Sequence, residues 1–159
     1  NQISIDKELI YDPDRPSLSA GTVSADTRTQ SVFRTLTFSD VQVNDTIYGE
    51  NENLPSGQQF WGVWVASNHV SVTGVVTPDN PRLNWQPIEI TTPQSSFTVD
   101  WNLFTGLNYG DDLNRPGEYQ IFVRFLDGAG NPTAGTLATT ATLNSGYTMP
   151  KIYLPLVRR

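Results

Sequence analysis

Apolar and polar positions alternate along much of this chain, and a two-residue period marks strands, because successive side chains point to opposite faces. The clearest run is 116–131, PGEYQIFVRFLDGAGN. Pro116-Gly117 makes one turn and residues 127–131 a second. Between them Tyr119, Ile121, Val123 and Phe125 share a face, opposite Gln120, Phe122, Arg124 and Leu126. The first set predicts a core face and the second a mixed one.

The same reading covers the rest. Residues 1–12 put Ile3, Ile5, Leu9 and Tyr11 on one side with Lys7, and DPDRP at 12–16 ends that strand. SLSAGTVSADTRTQ is either a polar edge strand or a linker. Residues 31–39 form a strand with Val32, Leu36 and Phe38 on one face, and Val41, Val43 and Ile47 mark another. The polar loop at 50–57 is the best domain boundary. Residues 60–66, FWGVWVA, are apolar on both faces, as in a central strand or one with an exposed aromatic patch. Val70, Val72 and Val75 continue a neighbouring strand. Residues 83–86 and 88–90 are two short strands broken by Pro87. Phe97, Val99, Trp101 and Leu103 alternate inward, 136–143 is a late strand, and 151–159 has Ile152, Leu154 and Leu156 on one face.

About ten short strands at roughly 8–12-residue spacing predict an all-β, immunoglobulin-like sandwich with extra N-terminal strands and no significant helix. The expected division is 1–57 as N-terminal strands (an extension or an integral part of the sandwich), 58–145 as its core, and 146–159 as an edge strand or tail.

Composition narrows the function. The charge is 10 − 16 = −6, and the few basic residues are scattered, which argues against nucleic acid. No apolar run is long enough to span a membrane. Without cysteine there is no disulfide or thiolate chemistry. The chain starts at Asn1 rather than a methionine and carries no signal peptide, which reads either as export with the leader removed or as a fragment of a longer chain.

Residues 97–131, FTVDWNLFTGLNYGDDLNRPGEYQIFVRFLDGAGN, resemble the second half of bacterial immunoglobulin-like (fibronectin III-like) domains of exported surface proteins. The likeness rests on Trp101, the Pro116-Gly117 turn, Tyr119, and Asp127, Gly130 and Asn131, with Trp85 and Pro87 similar to the middle of that module. It covers 60–143, its loop at 108–115 is longer than the pattern, and 1–57 has no counterpart in it. The ending YLPLVRR is similar to the termini of exported proteins from some filamentous bacteria. The resemblance implies a sandwich at the cell surface with a structural or adhesive role.

Candidate chemistry is sparse. His69 lacks a nucleophile-elbow serine, so no catalytic residue is assigned and no enzyme is expected. Trp61, Trp64, Trp85 and Tyr109 are the aromatics that could stack on sugar rings, which gives the alternative of a carbohydrate-binding module. Trp61 and Trp64 are three apart and so face opposite ways, and Trp101 reads as core. Asp111, Asp112 and Asp127 offer hard oxygen ligands for a structural calcium; otherwise they make turns, and no other cofactor is called for. The one-sided ends suggest β-strand addition, with Ile3, Ile5, Leu9, Tyr11, Ile152, Leu154 and Leu156 as interface residues. The expected partners are a second copy or other surface proteins, or a glycan, in an extracellular filament or layer.

Overall fold

The computed structural model describes residues 14–45, 54–105 and 116–147. Among these residues, seven strands make two antiparallel sheets: β1 (Ser17–Ala25), β2 (Phe33–Asn44), β3 (Gly62–His69), β4 (Gln86–Glu89), β5 (Phe97–Asn102), β6 (Gly117–Leu126) and β7 (Leu137–Leu143). One sheet has the order β1-β2-β5 and the other β4-β3-β6-β7. The fold is an all-β sandwich. Matched strand for strand to the constant-type immunoglobulin order, it differs in β4, which pairs with β3 rather than β5. Strands β1 and β2, from the N-terminal region, share a sheet with β5.

The odd face of β6 is the centre of the core: Tyr119, Ile121, Val123 and Phe125 are all fully buried. Phe38 on β2 crosses to meet Phe125 at 6.0 Å between ring centres and stacks on Phe97 of β5 at 4.5 Å. Trp101 is core, and its indole N–H donates to Ser67 Oγ at 2.6 Å. The outer face of β6 is covered in turn by residues 70–85. Gln120 accepts from Val76 N at 2.9 Å, and Arg124 reaches Asp79 at 2.6 Å while lying over the Trp85 ring at 4.9 Å.

Three local expectations change. The two strands expected over 31–39 and from Val41 are one strand, β2, interrupted at Asp40 (φ 54°). The inward face shifts there from Leu36 and Phe38 to Val41 and Val43. An irregularity adds a residue and flips the parity, which in sequence looks like a strand end. Val70 and Val72 do not continue a strand: Val70–Thr73 is a one-turn helix, α1, and Val75 is 78% exposed. Side-chain bonds from Thr73 to His69 O at 3.0 Å and from Asn68 to Gly74 O at 2.9 Å pull the chain into that turn. Pro87 does not split two strands but sits inside β4, an edge strand, where a missing N–H is tolerated. Among the described residues, no helix is long and apolar enough to cross a membrane.

Candidate functional site

Among the described residues, clefts open on the sandwich at several places, two of them beside its edge strands, and a buried polar cluster lies between its sheets. The first cleft follows the seam where edge strands β1 and β7 approach. It holds about 280 Å³ and is lined by Ala25, the corner residues 26–29, and Thr140, Ala141 and Thr142.

Asp26 builds that corner. Its carboxylate accepts from Thr35 N at 2.7 Å, Arg28 N at 3.1 Å and Arg28 Nε at 3.0 Å, and Arg28 Nη2 also bonds it. These bonds, the Arg28 side chain first, pull the Asp26 carboxyl down to about 2. Thr35 Oγ1 extends the network to Asp100 Oδ1 at 2.9 Å.

Arg34 holds the end of the seam together. It lies on the inward face of β2 and is fully buried. Nη2 crosses to Thr142 O on β7 at 2.8 Å, while Nη1 donates to Phe33 O at 3.0 Å and to Ser31 O. Nε has no partner, and burial lowers the guanidinium pKa from its ordinary value. Asn144 N also bonds Thr29 O at 2.7 Å. The corner thus closes one end of the β7 edge.

The second cleft lies at the far end of the four-stranded sheet. It holds about 290 Å³ and is lined by Trp61, Gly62, Pro87, Ile88, Glu89, Leu126 and the turn 127–130. Gly62 lets the backbones approach here, since a Cβ would sit 3.0 Å from Ile88 O. Asp127 holds the turn through Asn131 N at 2.7 Å and Asn131 Nδ2 at 3.0 Å. Burial raises the Asp127 pKa and the Asn131 bonds oppose that rise. The Trp61 backbone is paired on both sides, to Leu126 O and Ile90 N, each at 2.8 Å. Its indole N–H is sealed from water without a partner.

The polar cluster joins His69, Tyr119 and Gly117. The His69 ring meets Tyr119 edge-on at 4.6 Å, and its Nε2 lies 3.3 Å from Pro116 O. Gly117 closes over the ring: a Cβ there would reach 2.7 Å from His69 Cε1. Burial raises the Tyr119 hydroxyl pKa.

Trp61 and Asp127, expected for different chemistries, therefore share one cleft. Trp64 does not line it; it sits in register with Pro87 and Arg124. Among the described residues, no three His, Cys, Asp or Glu side chains group as a metal site. Ile3, Ile5, Leu9, Tyr11, Tyr109, Asp111, Asp112, Ile152, Leu154 and Leu156 lie outside the described residues. Arg34 is the residue the sequence reading missed. Its parity with Val32, Leu36 and Phe38 placed it on the core face of its strand. No family model matches the chain, and no curated protein matches it.

Proposed function

We propose that this chain is a non-catalytic, extracellular structural or adhesion protein that assembles into a surface filament or layer by β-strand addition of a terminal segment. The observation that carries this reading is the edge of β7. Its sequence, LATTATL, has no charge, proline or glycine, and among the described residues no strand hydrogen-bonds to its outer side, where β1 lies beside it without pairing. Such an edge is a template for another chain, and natural sheets usually blunt it. Strand addition uses these main-chain groups for affinity and alternate side chains for specificity. The one-sided pattern of Ile3, Ile5, Leu9 and Tyr11 suits a donor. The resemblance of 97–131 to exported surface domains supports the setting, and the enclosure of His69 by Gly117 supports a non-catalytic role.

The test is the mass of the full chain by light scattering across a concentration series. The expected result is an assembly that becomes monomeric when residues 1–11 are deleted and when a charge is placed on the edge by Thr140→Lys. A monomeric full chain, or an assembly that survives the deletion, sinks the proposal.

A second reading, a saccharide in the Trp61 cleft, has an observation of its own: an aromatic and apolar lining with Glu89 among it. Screening the protein on an array of neutral and acidic oligosaccharides tests this reading, and a blank array removes it.

A further inference from the structure

We infer that the Trp61 cleft is the seat of a cationic side chain, the guanidinium of an arginine presented by a partner protein. This goes beyond the assembly reading, and it competes with a saccharide for the same cleft.

The walls favour one side chain over an added strand. Trp61, Pro87, Ile88 and Leu126 supply an apolar lining to about 290 Å³, and the Trp61 backbone is already bonded on both sides. A methylene stem can lie along such a lining while its charged head stays at the mouth.

The polar groups set the sign of the charge. Two carboxylates line the cleft, Glu89 on edge strand β4 and Asp127 in the turn. Glu89 is exposed and Asp127 is buried. Among the described residues neither pairs with a cation; Arg28 and Arg124 pair instead with Asp26 and Asp79. Burial raises the Asp127 pKa, the Asn131 bonds oppose that rise, and the Asp45 charge adds to it. A cation entering the cleft would relieve this excess of negative charge.

The lining also lacks donors. The Trp61 N–H is sealed, and no other lining side chain carries one. The turn spends its own amides: Ala129 N and Asn131 N bond the Asp127 carboxylate, and Gly130 N donates to Asp127 O at 3.2 Å. A sugar brings hydroxyls that accept as well as donate, and their acceptor side would go unanswered by these side chains. A guanidinium only donates. It is planar, stacks on an indole face and sheds water more readily than an ammonium. The net charge of −6 favours its approach.

The test is a heteronuclear NMR titration of the full chain with the peptide acetyl-Gly-Arg-Gly-amide. A second titration uses the same peptide with citrulline, which keeps the shape and loses the charge. The expected result is a saturable shift of the Trp61 indole N–H and of the amides of Glu89 and 127–130. Citrulline should bind at least about fivefold more weakly. Glu89→Gln, an exposed change, should weaken the arginine peptide about two- to fivefold while the remaining resonances stay in place. Equal binding of the two peptides, or no effect of Glu89→Gln, overturns the cationic guest. Shifts centred away from 61–62, 87–89 and 126–130 overturn the site. Cellobiose is the neutral control: if it shifts these residues and the arginine peptide does not, the guanidinium is overturned and the saccharide reading stands. No shift with any of the three probes overturns both.

Discussion

The two clefts are nearly equal in size, about 280 Å³ at the β1–β7 seam and about 290 Å³ at Trp61, yet their walls suit different partners. At the seam the walls are alanines, threonines and the Asp26–Arg28 pair, with outward-facing main chain at Thr142. An extended backbone can bond there whatever its sequence, and only its alternate side chains are selected. At Trp61 the main chain is already paired on both sides, so a peptide gains no ladder. What remains is an aromatic ring, Pro87, Ile88 and Leu126, with Glu89 to accept hydroxyl protons. Volume does not distinguish the sites; the state of the backbone does.

The sharpest way to break this contrast is through Arg34, which seals one end of the seam and leaves the Trp61 cleft untouched. Arg34→Ala strips donors from Ser31 O, Phe33 O and Thr142 O and opens a cavity, so it should cost about 3–5 kcal/mol. Arg34→Met keeps most of the volume and removes a charge that no carboxylate bonds among the described residues. It orphans the same three carbonyls, so it should cost about 1–3 kcal/mol, less than the alanine by the share of the cavity. Urea unfolding of both variants checks the order. Equal losses would mean that the guanidinium bonds, and not packing, dominate. Hydrogen exchange should show Thr142 and Leu143 amides less protected in either variant, with residues around Trp61 unchanged.

Asp26 gives the next effect. Its folded pKa lies near 2, below the ordinary 3.8, so its contribution is fully present above that ordinary value and is lost as pH falls toward 2. Arg28 is more than half exposed, so the contribution is discounted for screening to about 1–2 kcal/mol. Asp26→Asn should lower the urea midpoint at pH 6, and the gap to wild type should narrow between pH 4 and pH 2. A gap that stays constant over that window would show that Asp26 acts through shape alone. Because Asp26 forms the corner of the seam, assembly should weaken over the same window, whereas any saccharide binding at Trp61 should not follow it.

The sandwich was legible because burial on one face of a strand imposes a period of two. The core face of β6 and the burial of Trp101 follow from that rule alone. The pattern misled where local geometry broke the period. Asp40 flips the parity of β2, and the Asn68–Thr73–Gly74 bonds turn a valine-rich stretch into α1. Arg34 was legible in principle, since its position on an apolar face demanded either burial or a twist. Its bond to Thr142, 108 positions away in sequence, was not. The cleft at Trp61 was half legible. Parity separated Trp61 from Trp64, and the Asp127-to-Asn131 spacing gave a turn. Only the pairing of β3 with β4 and β6 brings that turn beside the indole.

The smallest expected change tests the second cleft most narrowly. The Trp61 N–H is sealed without an acceptor, so Trp61→Phe removes an unsatisfied donor while keeping an aromatic ring. The lost ring area and the relieved donor oppose each other, and folding stability should move by no more than about 1 kcal/mol. Binding separates what stability cannot. If a neutral saccharide stacks on the ring, Trp61→Phe should weaken it by less than about tenfold, Trp61→Ala should abolish it, and Trp64→Ala should leave it unchanged. Titration calorimetry with the best array ligand reads all three. Binding that survives Trp61→Ala would move the saccharide elsewhere and leave the Trp61 cleft as packing between a strand and its turn. The net charge of −6 adds a direction, since acidic sugars should bind more weakly than neutral ones and gain with added salt.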